Sequence, residues 1–304
     1  MADARVAVAG SGHLPKSLYG LSSLQIFKPR ISLATWLRIP PKDRRVPIYN
    51  FFNRAEVPPT AAYSVRTVKT RDFQGGRWSY DSHRGTDFAC SVGTPVVTVA
   101  PGRVVGLPFH LDRGGQKVVV DHGGGLVATY CHLARATVGV GEFVRRGDVV
   151  GLSGASGIEF ALFFPWVAPH LHLNVWLDGF GVDPFAKLDE GEISLWRTGD
   201  NDPHPFDGEG DRGDEATFEP SRWDPERVRE AIALCKDPRE RGRLRSVADP
   251  HARGIELIVT RIFRGALFEA HPEITAERHP RASLLDLPFR REDFVGVAFP
   301  PARA

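Results

Sequence analysis

The stretch KVVVDHGGGLVATYCHL, residues 117–133, is typical of two neighbouring β-strands joined by a tight bend. β-branched and aromatic residues, which favour strands, concentrate on both sides of the glycines at 123–125. Glycine readily adopts the backbone conformations that a chain reversal requires. We therefore predict strands at 117–121 and 127–132.

A similar sequence pattern continues on both sides of these two predicted strands. Between residues 75 and 181, short apolar runs alternate with turn signals such as Gly114-Gly115 and Gly147-Asp148. The pattern indicates a mostly β domain. Further strands are predicted at 96–99, 103–106, 143–145, 149–153 and 170–177.

Segments of different composition flank this β domain, which we assign to residues 61–197. Residues 1–60 hold several prolines and two apolar stretches, FKPRISLATWL and VPIYNFF, and we expect this N-terminal extension to pack on the domain. Residues 198–221 are polar and acidic and are interpreted as a linker or a surface loop. Residues 222–304 are predicted to form a helical region.

Two start signals support the helical region. Asp224-Pro225 and Asp249-Pro250 each place a capping aspartate before a proline that suits the first helical position. Apolar residues then recur at helical spacing. They are Val228, Ala231 and Ile232 after the first signal, and Ile255, Ile258 and Val259 after the second.

The overall composition argues against several classes of protein. With 39 Lys and Arg against 37 Asp and Glu, the net charge of +2 gives no reason to expect a nucleic-acid partner. No stretch reaches the roughly 20 apolar residues of a membrane span, and the first residues do not resemble a signal peptide. The cysteines Cys90, Cys131 and Cys235 lack the spacing of a thiolate metal site. We expect buried thiols, and nothing in the sequence indicates an oligomeric state.

Histidine and aspartate recur at spacings that suit one face of an extended chain. Side chains alternate between the two faces of a strand, so His83 and Asp87 would share a face, as would His170 and His172. Either pair alone also occurs by chance on protein surfaces. Together, in an apolar β framework, two imidazoles and a carboxylate favour a zinc site whose fourth position is open to water.

A third polar pair lies in the segment TYCHL. The same alternation puts Tyr130 and His132 on one face and Cys131 on the other. An uncoordinated histidine near a metal can accept a proton from water or stabilise an oxyanion. His132 and His170 are our candidates for these roles, and the sequence does not assign either role to one of them.

Several long segments share a family pattern. HRGTDFACSVGTPVVTVAPGRVV, KVVVDHGGGLVATYCHL, VGVGEFVRRGDVVGLSGASG, PHLHLNVW and VDP follow one another in the order known from one family. From about residue 80 to 188, the chain resembles the lysostaphin-type and LytM-type zinc endopeptidases, which cut peptide cross-links in bacterial cell walls. The family motifs HxGxD, YxHL and HxH all have counterparts here.

The resemblance implies a role for each matching residue. His83, Asp87 and His172 would hold one Zn²⁺ ion per chain, while His132 and His170 would act beside the metal without binding it. It also implies a duplicated-hybrid-motif-like antiparallel β sandwich or barrel, and a location in the cell envelope or outside the cell.

One segment departs from the family pattern. Between SGASG and PHLH the family has a short polar loop, whereas this chain has the apolar IEFALFFPWVA, in which Glu159 is the only carboxylate. This insertion lies just before a ligand strand. It would bind substrate, cover the metal, pack on residues 1–60 or on the helices, or only fill space between domains. Candidates for the wall of the substrate cleft are Tyr130, Phe163, Phe164 and Trp166.

The sequence thus predicts a zinc metalloendopeptidase that hydrolyses amide bonds in peptidoglycan stem or cross-bridge peptides. One alternative is a peptidase of the same fold that acts on a protein or a non-wall peptide. Another is a latent or regulatory binding module, although the retained histidines argue against it. A biotinyl or lipoyl carrier, which VGVGEFVRRGDVVG resembles, would need a lysine at a hairpin tip, and none lies in a matching place.

Overall fold

The computed structural model describes residues 9–10, 12–56 and 63–300, so the N-terminal extension predicted over 1–60 is described in part. Strands dominate the middle of the chain, and most helices follow residue 224. Within the described ranges, no helix is both long enough and apolar enough to cross a membrane. The predicted mostly β class is confirmed.

The elements follow one another from residue 21 to residue 298. The strands are β1 (Arg45–Asn50), β2 (Thr86–Ala89), β3 (Pro95–Val97), β4 (Gly102–Gly106), β5 (Phe109–His110), β6 (Gly115–Asp121), β7 (Leu126–Ala136), β8 (Phe143–Val144), β9 (Val149–Ser153), β10 (His170–Leu177), β11 (Phe180–Val182) and β12 (Gly296–Ala298). The α-helices are α1 (Pro29–Trp36), α2 (Ile158–Phe163), α3 (Pro225–Ala233), α4 (Pro238–Ser246) and α5 (Pro250–Arg264). Short 3₁₀ turns cover Leu21–Ile26, Leu188–Glu190, Glu215–Thr217 and Gly265–Leu267.

These twelve strands form one open sheet rather than a closed barrel. Its main path runs β12-β1-β2-β10-β7-β6-β4-β8, while β5, β9 and β11 pair beside it and β3 pairs with β9. The β1–β12 pair is parallel, and the remaining ladders are antiparallel. Strand β1 therefore makes part of the predicted extension an integral member of the sheet.

A β-bulge interrupts β7 where it passes β6. Val118 pairs with Tyr130 but Gln116 pairs with Leu133, so β7 carries one extra residue in this interval. His132 takes up the difference with a left-handed backbone, φ 62°. The expectation that Tyr130 and His132 share a face is wrong, because the bulge turns His132 away from the core that holds Tyr130.

The two faces of the sheet are covered by different parts of the chain. On one face, Leu171 and Leu173 of β10 pack in a core that also holds Trp196. On the other face, Cys131 and Trp176 pack under the helices α3, α4 and α5. The leucine side of β10 thus faces a core, and the histidine side opens between the helices and the N-terminal segment.

The predicted capping signals start the helices. Asp224 accepts from the backbone N–H groups of Glu226 and Arg227 at the start of α3, and Asp249 caps α5. The equivalent signal at Asp237, which starts α4, was missing from the sequence prediction. Residues 268–300 are not helical and return to the sheet through β12.

Asp121 at the end of β6 ties the helical region to the sheet. Its carboxylate accepts from Ser221 Oγ at 2.6 Å, from Ser221 N at 2.9 Å and from Gly123 N at 3.0 Å, and it lies 3.0 Å from His251 Nε2. Burial would raise the pKa of Asp121, but the hydrogen bonds from His251 and Ser221 outweigh it and lower the pKa. The buried carboxylate is therefore stabilised in its ionised form.

We predict that Asp121→Ala lowers the free energy of unfolding by about 2–4 kcal/mol, since it leaves several buried donors unpaired. Urea denaturation at pH 7 measures this. The exposed Asp189 on the surface provides a control, and Asp189→Ala should stay within about 0.5 kcal/mol of the unmodified protein. Equal urea denaturation midpoints for the two variants would contradict the role of Asp121 in joining the helical region to the sheet.

Candidate metal centre

Three side chains bring one ligand atom each to a common point. Asp87 and His172 are direct partners across the β2–β10 ladder, and His83 lies in the loop that leads into β2. Asp87 Oδ1 lies 2.6 Å from His172 Nδ1 and 3.0 Å from His83 Nε2. The two imidazole nitrogens are 3.1 Å apart. The predicted ligand set is thus brought together, although His83 is not on a strand.

This donor set fits a zinc ion. Bonds of about 2.0–2.2 Å in a tetrahedral arrangement separate nitrogen and oxygen ligands by about 3.3–3.5 Å, slightly more than is found here. All three ligand atoms lie within 4.8 Å of one another. The side chains of His83, Asp87 and His172 are 0%, 2% and 14% exposed, so an ion would be held in a largely buried site.

Hydrogen bonds around the ligands set their orientation. His83 Nδ1 lies 2.6 Å from the Phe51 carbonyl oxygen, and it therefore carries the proton and leaves the Nε2 lone pair toward the site. Asn174 Nδ2 lies 2.9 Å from His172 Nε2. The Phe51 contact comes from the residue that follows β1, a part of the chain that sequence patterns did not connect with the metal.

The second oxygen of Asp87 is held from the N-terminal side. Asn50 Nδ2 donates to Asp87 Oδ2 at 2.7 Å, and Lys28 Nζ donates to Asn50 Oδ1 at 2.8 Å. Burial would raise the pKa of Asp87, but the adjacent imidazoles of His83, His170 and His172 outweigh it and hold the pKa well below its usual range. Asp87 is therefore an anion at neutral pH.

His132 and His170 stand beside the ligands. Their rings are 4.7 Å apart, and His170 Nε2 lies 3.6 Å from Asp87 Oδ1. His170 Nδ1 donates to the Ala168 carbonyl oxygen at 2.7 Å, and His132 Nδ1 donates to that of Ser156 at 2.8 Å. Each ring thus keeps the Nε2 lone pair available to accept a proton.

The charge state of both rings suits that role. Burial is the main cause that lowers the pKa of His132 well below its usual value, and the neighbouring His170 and His172 lower it further. Burial also lowers the pKa of His170, although Asp87 opposes the shift. Both imidazoles are neutral at pH 7 and are able to act as bases.

Glu159 of the apolar insertion is an unexpected neighbour of His132. Its Oε1 lies 3.1 Å from His132 Nδ1, beside the Ser156 carbonyl oxygen. Burial raises the pKa of Glu159 to about 7, and Asp87 contributes to the shift. As the only carboxylate in the insertion, it was visible in the sequence, but nothing local indicated which histidine it would meet.

The four residues predicted for the cleft wall have different positions. Tyr130 is fully buried in the core, where its hydroxyl accepts from the Val99 N–H at 2.8 Å. Phe163 lines the cleft and packs against Phe27, with ring centroids 5.7 Å apart. The other two, Phe164 and Trp166, are 62% and 48% exposed and lie outside the cleft lining.

The insertion packs on the N-terminal segment. Phe164 lies edge-on to Trp36, at 5.0 Å between ring centroids. Ser32 Oγ donates to the Trp166 carbonyl oxygen at 2.8 Å, and Trp36 Nε1 donates to that of Val167 at 2.9 Å. Helix α1 and the insertion therefore support each other.

All five site residues open into one cleft of about 940 Å³. Its lining includes several segments outside β2 and β10. Among them are the N-terminal turn with Leu24 and Phe27, the insertion with Leu162 and Phe163, and the end of α5 with the residues after it, including Arg261. The space is large enough for several residues of a peptide.

Comparison with known proteins identifies this segment. Residues 81–184 match the model of peptidase family M23. This range holds the three ligands and both further histidines, and the resemblance to lysostaphin-type and LytM-type enzymes is thereby confirmed. The match leaves out β1, the N-terminal segment and helix α5, all of which contribute to the cleft lining.

Curated relatives align over the same region. The peptidoglycan DD-endopeptidase ShyA of Vibrio cholerae is 39% identical over 101 residues, which is 33% of this chain and 22% of that protein. Lysostaphin of Staphylococcus simulans is 31% identical over 99 residues, 32% of this chain and 19% of that protein. An uncharacterized metalloprotease of Haemophilus influenzae is 34% identical over 104 residues, 34% and 20% of the two chains. The chain thus spans about a fifth of the length of these relatives.

Solved structures match over a similar range. The catalytic domain of Staphylococcus simulans lysostaphin is 31% identical, with 34% of this chain and 75% of that chain covered and a TM-score of 0.30. A zinc containing peptidase from Vibrio cholerae is 28% identical, with 47% and 37% covered and a TM-score of 0.35.

We predict that Glu159→Gln changes how stability depends on pH. Because the folded-state pKa of about 7 lies above the ordinary 4.5, the folded chain binds the proton more tightly and loses stability as the pH rises through that interval. Melting temperatures measured between pH 4.5 and 7.5 should fall less steeply for Glu159→Gln than for the unmodified protein. Identical slopes would contradict the burial of this carboxyl group.

Proposed function

We propose that the chain is a zinc metalloendopeptidase that hydrolyses amide bonds in peptidoglycan stem or cross-bridge peptides. The observation that carries the proposal is the convergence of His83, Asp87 and His172 on one point, with two neutral histidines beside them. The match to peptidase family M23 over 81–184 supports the reaction class. The name of the peptidoglycan DD-endopeptidase ShyA, which aligns over that segment, supports the substrate class.

Three side chains of this site would bind the metal ion. His83 would bind through Nε2, His172 through Nδ1 and Asp87 through Oδ1, which are the atoms that converge. When bound, zinc acts as a Lewis acid that polarises a carbonyl group and makes water a nucleophile near neutral pH. Asn50 holds the other oxygen of Asp87 and keeps the carboxylate oriented.

The two remaining histidines handle protons and charge. Their Nδ1 atoms are committed to backbone carbonyl oxygens, so the Nε2 atoms receive the proton of the attacking water or face the developing oxyanion. Once protonated, His170 would be stabilised by Asp87, 3.6 Å away. Glu159 lies on the opposite nitrogen of His132 and would favour its protonated form in the same way.

We predict that His172→Ala loses both bound metal and hydrolysis. The remaining two ligands leave the site incomplete, and the loss of a ligand removes the nucleophile with the metal. Metal content of the purified protein and release of soluble peptides from purified peptidoglycan measure the two effects. His204→Ala, which changes a histidine at the surface, serves as the control and should retain both properties.

Two results would contradict the proposal. The first is a purified protein that takes up no zinc when the metal is supplied at neutral pH. The second is a His172→Ala variant that keeps zinc at one ion per chain and hydrolyses peptidoglycan as the unmodified protein does.

A second candidate is a peptidase of the same fold that acts on a protein or a non-wall peptide. The observation in its favour is the apolar wall formed by Leu162 and Phe163, which comes from a segment absent from the usual family pattern. We predict clearing of gels that contain purified cell walls, and no cleavage of an unfolded protein such as casein. Cleavage of casein without clearing would favour the second candidate, and binding to walls without clearing would favour a binding module.

A further inference from the structure

Two further side chains that line the same cleft, Arg261 and Trp176, carry buried donors without a partner among the described residues. Arg261 of α5 lines the cleft and is 4% exposed. Its Nη1 donates to the Pro272 carbonyl oxygen at 3.0 Å, and its guanidinium carbon lies 5.7 Å from the centre of the Phe268 ring. Nε and Nη2 are buried, and neither has a hydrogen-bond partner within the described residues.

Trp176 of β10 presents a similar donor. It is 7% exposed, lines the cleft, and its buried Nε1 has no partner in the described part of the chain. Across the described lining, the buried polar side-chain atoms without a partner are Arg261 Nε, Arg261 Nη2 and Trp176 Nε1. All three are donors, so a ligand that completes them must accept hydrogen bonds.

The charge of Arg261 further restricts the chemical class of the ligand. Within the ranges that the structure describes, no carboxylate forms an ion pair with this guanidinium. Burial lowers the pKa of Arg261 to about 10, so the side chain is still a cation at neutral pH. Nearby, burial and the positive charges of Arg261 and Arg84 lower the pKa of His271 to about 4, in keeping with a locally positive potential. A buried cation without a counter-charge is unfavourable, and an anionic ligand would relieve it.

We propose that Arg261 and Trp176 form a carboxylate-binding subsite of the substrate cleft. The inference rests on the proposed peptidase function and specifies its substrate as a peptide that carries a free carboxylate. A guanidinium with two adjacent free donors matches the two oxygens of a carboxylate, which makes this pair stronger than a neutral hydrogen bond. Because Arg261 lies outside 81–184, the subsite is a property of the flanking helices and not of the matched segment.

The position of Trp176 on β10 gives an approximate distance between the scissile bond and the carboxylate of the substrate. Trp176 follows the ligand His172 by four residues on the same strand, a distance of about 13 Å. An extended peptide advances by about 3.3–3.6 Å per residue. The carboxylate therefore belongs about three to four residues from the scissile bond, as the chain terminus or as an acidic side chain.

The test compares two forms of one ligand. A peptidoglycan stem peptide with free carboxylates and the same peptide with its carboxylates amidated are titrated calorimetrically into His172→Ala protein, where neither is cleaved. The same titrations are repeated after adding Arg261→Met, Trp176→Phe or, as a matched control on the same helix, Arg264→Met. Arg264 also has a buried Nε without a partner among the described residues but does not line the cleft.

We expect Arg261→Met to weaken binding of the free-carboxylate peptide about 10- to 100-fold, the loss of one charge-assisted contact. Trp176→Phe, which keeps an aromatic side chain but replaces the indole and its donor by a smaller phenyl ring, should weaken it about 2- to 10-fold. Binding of the amidated peptide should stay within about twofold in both variants, and Arg264→Met should change neither peptide. Melting temperature should not fall in Arg261→Met, since the variant removes a buried unpaired charge.

Two results would overturn the subsite: unchanged binding of the free-carboxylate peptide in Arg261→Met, or equal weakening of both peptides, which would indicate a packing role. The binding assay does not depend on hydrolysis. A protein that binds the free-carboxylate peptide through Arg261 but hydrolyses no peptidoglycan would therefore contradict the proposed function and leave the subsite supported.

Discussion

The site is organised around one buried negative charge, the carboxylate of Asp87. Three imidazoles lie around it, and without them burial would favour its protonated form. Its second oxygen needs a donor from elsewhere, and Asn50 of β1 supplies it. Because β1 also pairs directly with β2, the strand that orients the carboxylate lies beside β2 in the sheet, between β2 and β12. The pairing of β1 with β2 therefore builds the sheet and orients the Asp87 carboxylate at the same time.

Much of the fold follows from local sequence pattern. Strands β9 and β10 have the predicted bounds, and α3 and α5 begin at the predicted aspartate-proline signals, because period-two alternation and helix capping are local properties. The convergence of His172 with Asp87 could also be predicted from the sequence, since both lie on strands that present polar residues to one face. His83 reaches the same point from a loop, where the alternation of side chains between two strand faces does not apply.

The remainder depends on contacts between distant segments. The bulge at His132 adds one residue to a strand that has a regular pattern in the sequence, and it turns His132 to the face opposite Tyr130. Tyr130 consequently belongs to the core and His132 to the cleft. Glu159, Asn50 and Arg261 have no local motif, because each acquires its role only when its segment packs against another. The matched segment holds the candidate metal ligands, and the surrounding chain shapes the cleft in front of them.

The pairing of β1 with β12 has a consequence for how the chain folds. Arg45 pairs with Gly296, so this ladder joins residues separated by most of the sequence. Such long-range pairing gives a high contact order, and closing so large a loop is slow because its entropy must be lost before the contacts form. Phe51, whose carbonyl oxygen fixes the tautomer of His83, directly follows β1. We therefore expect the β1–β12 ladder to form late in folding, after β1 has paired with β2 and brought Phe51 to His83.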